Sequence, residues 1–423
     1  MIRVVFLLAL VVSVPFLAAF AAAQEPQATT APASIDDRQD SEDMGALAAE
    51  KSEIEAGKNK SLGIEYTSPN KRFFINPWLR GQFRFSEPFD SDPRTSEEFQ
   101  NAAGHDSKIR RARLKIEGYM FIPRTGFYYE HELSGDHPLL DIRLDLNLRD
   151  DIKMRIGQHK ILYNRERVDS SGKQQFVERS ISTYAFTLDR QIGVSLTKGF
   201  MAGTTFDNWL MLGVNKGGGR GKLDGHWKNP MLLARWQWNF LGEVLPFSQS
   251  DLKLRQQPAA SLAFATARVR GPYTQYSSSG GGQLDGFESG GDERYTLQQF
   301  LQEFALQFDG LSIQQEYHIK KIKDHETGER STLQGGYAQV GKLWEVSWSD
   351  KNYAVEGALR VAHVNWDTAS PGRVQDEITF ATNLFLNGHN NKLTADISQI
   401  RLKDDLTGKF KDIRFRLQWD VSF

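Results

Sequence analysis

Apolar and polar residues alternate strictly along many segments of this chain. From Leu140 to Leu148 every even-numbered residue is leucine or isoleucine, whereas the odd-numbered positions hold aspartate, arginine and asparagine. A period of two indicates a β-strand, because successive side chains of a strand point to opposite faces. After Arg149-Asp150-Asp151 the alternation resumes from Ile152 to Ile156, which predicts a hairpin closed by a tight polar turn. A soluble sandwich also shows such strands, so one hairpin leaves the architecture open.

The same alternation recurs as far as the end of the chain, where the apolar residues from Ile413 to Phe423 are separated by arginine, glutamine, aspartate and serine. Most segments are about ten residues long, which is the length of a tilted strand that crosses a bilayer, whereas soluble sandwiches more often use strands of about five or six. The pattern predicts about sixteen strands, and bacterial outer-membrane barrels have an even number. The predicted strands are 72–85, 109–120, 127–134, 140–148, 152–160, 191–199, 207–215, 231–240, 260–269, 295–308, 311–321, 333–344, 353–364, 376–386, 392–402 and 412–423.

Tight turns and long loops separate these strands. Asp309-Gly310 is a two-residue hairpin signal, whereas the connection from Gly271 to Glu293 is long and rich in glycine and serine. With about sixteen strands, the tight turns fall at the rim that holds both ends of the barrel segment. This arrangement predicts an all-β fold, a transmembrane antiparallel β-barrel with apolar side chains toward lipid and polar side chains toward an aqueous lumen.

The N-terminal part of the chain predicts export. An uncharged apolar run from Val4 to Ala23 follows Arg3 and ends in small residues, which is typical of a signal peptide cleaved after Ala23; an uncleaved anchor helix is the alternative. We therefore assign 1–23 to a signal peptide. Residues 24–71 are rich in Ala, Glu, Asp, Lys and Ser and predict a polar periplasmic linker with at most a short helix from Met44 to Ala56. The barrel is expected over 72–423.

Composition and motifs narrow the classes of function. The 423 residues include 52 Lys and Arg against 53 Asp and Glu, so the balance gives no sign of a nucleic-acid partner. The absence of Cys excludes disulfides and thiolate chemistry. His131-Glu132 lacks the second His of a zincin, and Lys216 to Lys222 lacks the Ser or Thr of a phosphate-binding loop. We predict that the protein is not an enzyme and uses no metal or cofactor. A barrel enzyme stays an alternative, because such sites assemble from distant strands.

Four short motifs resemble those of the phosphate-selective porin O/P family. They are Lys108-Ile-Arg-Arg-Ala-Arg-Leu-Lys-Ile-Glu-Gly118, Arg155-Ile-Gly-Gln-His-Lys160, Val177-Glu-Arg-Ser180 and Arg190-Gln-Ile-Gly-Val194. The terminal Phe423 resembles the signal by which outer-membrane barrels are recognised for assembly. The resemblance covers residues 72–423 and implies a sixteen-stranded homotrimer in the cell outer membrane. It also implies that the third extracellular loop narrows the pore and that arginines and lysines guide small anions such as phosphate.

Basic residues that the alternation turns toward the lumen are the candidate pore-lining groups. On the wall they are Arg80, Arg84, Arg111, Arg113, Lys115, Arg143 and Arg155. The segment that matches the inward loop of the family, from Ile161 to Arg190, adds the constriction-loop candidates Arg165, Arg167, Lys173 and Arg179. Positive groups around a narrow water column favour anions, and the planar fork of arginine fits phosphate oxygens two at a time. The sequence therefore predicts a passive diffusion channel for small hydrophilic solutes with a preference for anions.

Acidic residues on the same wall leave other interpretations open. Glu117, Glu130, Glu132, Asp141 and Asp145 share that wall with the basic residues. If the pairs neutralise one another, the protein is a weakly selective general porin. Basic and acidic stripes on opposite sides of the pore are a third arrangement, and the charges of the long loop are compatible with an ordinary solvated surface loop.

Overall fold

The computed structural model describes residues 65–101, 104–134, 138–221, 227–276, 281–348, 351–366 and 372–423. The predicted signal peptide (1–23) lies outside the described residues, and so does the predicted linker up to residue 64, including its possible helix from Met44 to Ala56. Within the described ranges, no helix has the length and apolar character needed to cross a bilayer.

Sixteen long strands form a closed antiparallel barrel, which confirms the predicted fold class and strand number. The strands are β1 (Tyr66–Thr67), β2 (Phe73–Glu87), β3 (Asp106–Met120), β4 (Thr125–Glu132), β5 (Leu139–Arg149), β6 (Ile152–Lys160), β7 (Arg190–Phe200), β8 (Asn208–Asn215), β9 (Met231–Leu241), β10 (Ala259–Gly271), β11 (Tyr295–Phe308), β12 (Leu311–Asp324), β13 (Arg330–Trp348), β14 (Lys351–Asn365), β15 (Arg373–Asn387), β16 (Asn391–Asp404) and β17 (Gly408–Ser422). Only β1 is short; it pairs with the start of β2, so the first hairpin begins before the predicted boundary at residue 72.

The last strand closes the barrel on the first long one. Phe415 of β17 pairs with Glu87 of β2, and the pairing continues to Ser422 and Arg80. Beyond the strand, the backbone N–H of Phe423 donates to the carbonyl of Leu79 at 3.0 Å. Closure removes the sheet edges, which is the condition for a sheet to satisfy its backbone inside a membrane.

The wall is apolar outside and polar inside, the reverse of a water-soluble protein. In β17 the inward residues Arg414 and Arg416 are buried, whereas the alternating residues Phe415, Leu417 and Trp419 are exposed. A soluble protein buries its large apolar side chains and leaves its charges in water. The inverted pattern indicates that the exterior is solvated by lipid.

Aromatic side chains mark one boundary of the apolar band. At the rim with the short turns, Phe206 stacks on Trp238 with ring centroids 6.5 Å apart, and Phe73 contacts Phe121 at 5.6 Å. The indole of Trp238 donates to the carbonyl of Thr205 at 2.9 Å. Aromatic girdles of this kind lie at the membrane–water boundary of outer-membrane barrels.

Two connections fold into the barrel from opposite rims. A first short helix, α1 (Ser96–Gln100), lies in the connection from β2 to β3. The inward loop, residues 161–189, follows β6 at the long-loop rim and contains the short helices α2 (Arg165–Val168) and α3 (Ser182–Phe186). The second segment, residues 242–258, joins β9 to β10 at the rim that carries the chain ends. Between them they occupy much of the interior beside β8–β15.

Candidate pore and constriction

The inward loop crosses the lumen and is fixed to the wall on its far side. The backbone N–H of Arg165 donates to Glu303 of β11 at 3.0 Å. The backbone N–H of Ile181 donates to Glu377 of β15 at 3.0 Å, and that of Val177 donates to Asp396 of β16 at 3.0 Å. Wall carboxylates therefore satisfy loop amides that would otherwise lack partners inside the barrel.

Apolar packing fixes the same loop against one half of the wall. Tyr163, Ile181 and Phe186 of the loop are buried in one cluster with Trp209 of β8 and Tyr337 of β13. Such a packed sector excludes water, because side chains at native density leave no room for it. The lumen is consequently closed on this side at the level of the loop.

All seven predicted wall residues lie on the inner face of β2, β3, β5 and β6, and each contacts an acidic group or an aromatic ring.

Sequence alternation alone would have turned Ile109 inward together with Arg111. A β-bulge at Arg110 resolves this conflict, since Arg111 pairs with Gln82 while Ile109 pairs with Phe83. The extra residue changes the face, so Ile109 is exposed and Arg111 is buried.

Arg80 and Arg84 of β2 hold the inward loop in place. Arg80 binds Asp420 of β17 through Nε at 2.8 Å and donates from Nη1 to the Ser171 hydroxyl at 3.0 Å. Arg84 donates from Nη2 to the carbonyl of Val177 at 3.0 Å. Both guanidinium groups thus connect the wall to the loop and are almost entirely covered.

Glu178 of the inward loop is shared by several arginines. Its carboxylate accepts from Arg84 at 3.1 Å and from Arg111 at 3.0 Å, and Arg110 lies 3.6 Å away. Burial raises the pKa of the Glu178 carboxyl, but the charges of Arg111, Arg84 and Arg110 outweigh burial and hold the pKa well below its usual range. With Arg179 at 3.9 Å, one ionised carboxylate therefore faces four guanidinium groups at the outer mouth.

Two further carboxylates of the wall are shared in the same way. Glu130 of β4 binds Arg113 at 2.9 Å and Arg190 at 3.1 Å, with Lys115 at 3.9 Å.

The second of these carboxylates is Asp145 of β5, which lies nearer to the rim with the short turns. It accepts hydrogen bonds from Arg143 at 3.0 Å and from Arg155 at 2.6 Å. The Arg143 guanidinium also lies 4.2 Å from the ring centroid of Tyr128. The same cations are also shared by other carboxylates, since Arg113 binds Glu132 at 2.7 Å and Arg190 binds Asp141 at 2.5 Å. Basic and acidic side chains therefore form one paired network on this part of the wall.

The predicted constriction-loop residues divide into different roles. Arg165 binds Glu303 at 3.1 Å and the carbonyl of Pro246 at 2.6 Å, so it anchors the loop in the closed sector and does not face the water path. Arg167 pairs with Asp189 through Nε at 2.8 Å.

Arg179 and Lys173 complete the loop set. Arg179 donates to the backbone carbonyls of Glu166 and Asp169, both at 2.8 Å, and Lys173 is buried. All four predicted residues are thus buried within the loop that crosses the lumen, and Arg165 is the one that joins it to Glu303 of the wall.

Charged side chains along β3–β6 and on the inward loop beside them keep partial access to water. The exposed fraction is 36% for Arg110, 21% for Glu178 and 16% for Arg155, compared with 1% for Arg165. The water-accessible charges thus lie beside the strands that carry the shared carboxylates.

Sequence reasoning missed several charged groups of the interior. Arg360 of β14 binds Glu377 at 2.6 Å, and Arg416 of β17 binds Asp396 at 2.7 Å. The alternation of β17 already indicated that Arg416 faces inward, whereas nothing in the sequence signals which acidic group each arginine meets. Within the described part of the chain, no three His, Asp or Glu side chains converge in a group that could hold a metal ion.

A closed sixteen-stranded barrel with a lipid-facing apolar exterior, a charged interior and an infolded loop is the architecture of an outer-membrane porin. The chain belongs to the phosphate-selective porin O and P family, whose model matches residues 88–420. This confirms the resemblance read from the four motifs and the predicted location in the outer membrane. The protein is therefore an outer-membrane channel of the porin type.

Solved structures of other outer-membrane proteins share the fold at low sequence identity. The outer-membrane channel DcaP of Acinetobacter baumannii is 12% identical with a TM-score of 0.53, over 85% of this chain and 99% of that chain. OmpT of Vibrio cholerae in a trimer form is 9% identical with a TM-score of 0.51, over 83% and 99%. An anion-selective porin from Comamonas acidovorans is 10% identical with a TM-score of 0.50, over 83% and 100%. No curated protein matches the chain.

Proposed function

We propose that the channel conducts small hydrophilic solutes passively and prefers anions, phosphate among them. The observation that carries the proposal is a group of basic side chains on neighbouring strands of the inner wall, beside Glu178, Glu130 and Asp145: Arg111, Arg113, Lys115, Arg143 and Arg155. Because the water-accessible charges lie beside these same residues, we expect a passing anion to meet their guanidinium and ammonium groups. The description of the family as phosphate-selective supports the same direction.

The wall offers anions charge without permanent binding. Arginine presents five N–H donors in a rigid fork, which fits the oxygens of an oxyanion as well as those of a carboxylate. The carboxylates on the wall reduce the affinity of each site for an anion. Conduction requires sites that ions can leave as well as enter. We therefore expect rapid passage of anions with moderate selectivity.

A reversal potential across a KCl gradient in planar bilayers tests the proposal, because its sign reports which ion is preferred. We expect the anion-selective sign for the full protein. Added inorganic phosphate should then lower the chloride current by competing for the same passage. A ratio of chloride to potassium permeability near that of the free ions would identify a weakly selective general porin. A preference for potassium would contradict the proposal.

A double substitution tests the residues. Replacing Arg111 and Arg113 together by Ser removes two positive charges from β3 and leaves Glu178 and Glu130 with fewer cations. We expect the chloride-to-potassium permeability ratio to fall severalfold, since each unit charge close to the path changes it by about twofold. Arg149→Ser is the matched control, because Arg149 is exposed outside the lumen at the turn after β5. An unchanged ratio in the double variant would remove these arginines from the selecting region.

The assembly and processing of the protein belong to the same proposal. A homotrimer is supported by the trimer form described for Vibrio cholerae OmpT, and chemical crosslinking of the detergent-purified protein should yield a ladder that ends at three copies. The proposed mature protein lacks residues 1–23 and carries a polar linker before the barrel. N-terminal sequencing of protein from the outer membrane should begin at Gln24.

A further inference from the structure

The connection from β9 to β10 enters the barrel from the periplasmic rim. We call residues 242–258 the periplasmic arm. At the same rim, the described connections 121–124, 201–207 and 388–390 are much shorter. A periplasmic turn is expected to be solvated, yet Leu245 is 1% exposed, Phe247 5% and Asp251 0%. The arm therefore lies inside the lumen.

The arm meets the inward loop, which comes from the opposite rim. The side chain of Gln249 accepts a hydrogen bond from the backbone N–H of Gln175 at 2.8 Å and donates to Oε1 of Gln174 at 2.8 Å. The Arg165 guanidinium donates to the carbonyl of Pro246 at 2.6 Å and lies 5.0 Å from the ring centroid of Phe247. Contacts through backbone and side chain join the two segments directly, without an intervening gap.

Wall residues fix the arm on the side where the loop is also fixed. The Ser250 hydroxyl donates to Glu356 of β14 at 2.9 Å, and the same carboxylate accepts from Nε2 of Gln175 at 2.7 Å. The side chain of Gln307 of β11 donates to the carbonyl of Ser248 at 2.9 Å. Glu356 thus connects the arm, the loop and the wall.

The turn between β11 and β12 holds the base of the arm. The backbone N–H of Gly310 donates to Asp251 at 2.9 Å, and that of Asp309 donates to the carbonyl of Arg255 at 2.8 Å. Asp251 also pairs with Arg255 at 2.7 Å. A segment bonded at its tip, its middle and its base is held in one position.

We propose that the periplasmic arm is a fixed partition that, with the inward loop, closes the lumen beside β8–β15 over its height. Solutes are then confined to the basic passage along β3–β6. The arm is in this way a determinant of pore size and charge selectivity, although its own contacts lie away from that passage. This inference rests on the proposed function for the nature of the passing solute, but the closure itself does not depend on it.

The wall beneath the arm explains why the partition affects selectivity. Leu245 of the arm packs on Ala259 of β10 and Ala305 of β11, and Gln307 and Ser312 are neighbouring inward residues. The charged groups of the same sector are the pairs Glu303–Arg235 and Asp251–Arg255 and the carboxylate of Glu356. A passage opened beside them would add no excess of basic side chains and would weaken a preference for anions.

Replacing residues 244–256 by a short Gly-Ser turn tests the proposal. We expect the single-channel conductance to rise by about twofold, because the open cross-section grows, and the chloride-to-potassium permeability ratio to fall. The heat-dependent gel mobility typical of folded barrels confirms that the variant is folded. A folded variant whose conductance and permeability ratio both equal those of the full chain would overturn the proposal.

A thiol probe tests the closure in the full-length chain and needs no conductance measurement. The protein has no Cys, so Ala305→Cys introduces a single thiol beneath Leu245, and Asn147→Cys introduces a matched thiol on the inner face of β5. We expect a charged, membrane-impermeant thiol reagent to modify the β5 thiol quickly and the β11 thiol at least about tenfold more slowly, because the arm covers it.

The rates decide the question even where the shortened variant fails to fold. Equal modification of the two thiols in the full chain would show that the arm does not cover the wall and would overturn the partition. In the folded shortened variant the β11 thiol should become as reactive as the β5 thiol. A wild-type channel without anion preference would contradict the proposed function and leave this protection pattern unaffected.

Discussion

Asp145 is the carboxylate that limits the positive charge at the periplasmic end of the passage. It accepts hydrogen bonds from both Arg143 and Arg155, so Asp145→Asn leaves two cations without an anion between them. A unit charge about 8 Å from an ion in water is worth about 0.5 kcal/mol, so the chloride-to-potassium permeability ratio should rise about twofold. Reversal potentials measure the ratio. Asp150→Asn at the exposed turn is the control, and an unchanged ratio in Asp145→Asn would place the selecting region elsewhere.

Glu303 has a structural role that can be separated from selectivity. Its carboxylate binds Arg165 of the inward loop and Arg235 of β9 at 2.7 Å, and all three side chains are buried. Glu303→Gln leaves two buried guanidinium groups without their anion, which costs about 3–5 kcal/mol when one partner of a buried pair is lost. The temperature at which the folded gel band disappears should fall markedly.

The control for that prediction removes a carboxylate of the same type that is itself exposed. Glu243 binds Arg255 at 2.8 Å but is itself mostly exposed, and exposed pairs contribute about 1 kcal/mol or less. Glu243→Gln should leave the transition nearly unchanged. Equal shifts in the two variants would mean that Glu303 is not essential to the attachment of the loop.

Individual side chains differ in how far the sequence predicts them. Arg111, Arg113 and Lys115 could be placed on the inner face because strand alternation assigns a face to every residue. The exclusion of Arg165 from the water path could not be predicted. It depends on Glu303 and Pro246, which are distant in the sequence and meet Arg165 only after the loop has crossed the barrel.

At the level of elements, alternation located the strands well because each wall strand contacts lipid with one face and water or charged groups with the other. The strand predicted at 333–344 extends over Arg330–Trp348 in the structure, so its ends were placed too far inside. The periplasmic arm was not predicted. Its sequence around Ser248-Gln249-Ser250-Asp251 is that of a polar turn. The same polar residue types serve in a solvated turn and in a segment whose side chains bind one another inside a lumen, so composition does not distinguish the two.

One glycine controls how closely β12 and β13 pair. A Cβ atom placed on Gly336 of β13 would lie 1.9 Å from the backbone oxygen of Glu316 in β12, which is far inside contact distance. Gly336→Ala should therefore separate the strands locally, at a cost of about 1–3 kcal/mol, and lower the temperature of the gel transition. Gly291→Ala is the control, since a Cβ there meets nothing within 4 Å. A transition equal to that of the unmodified protein would indicate that the two strands can move apart freely.

For the whole molecule, the position of charge matters more than its total. The chain carries a formal net charge of −1, which on its own suggests no preference for anions. Glu130 and Asp145, however, are each bound by two arginines along β3–β7, and in our proposal the inward loop and the periplasmic arm close the sector beside β8–β15. The field that a solute meets is therefore set by a small part of the wall, because low-dielectric surroundings focus it there.

Ionic strength tests this view of the whole channel. Screening shortens the reach of the wall charges from about 10 Å at 0.1 M salt to about 3 Å at 1 M. A passage bordered by fixed cations should therefore show a chloride-to-potassium permeability ratio that falls toward that of the free ions as KCl is raised over this range. The variant with Arg111 and Arg113 replaced by Ser should show a weaker dependence, because fewer charges remain to be screened. A ratio that is the same at both salt concentrations would mean that direct binding of the ion, and not the field of the wall, selects the anion.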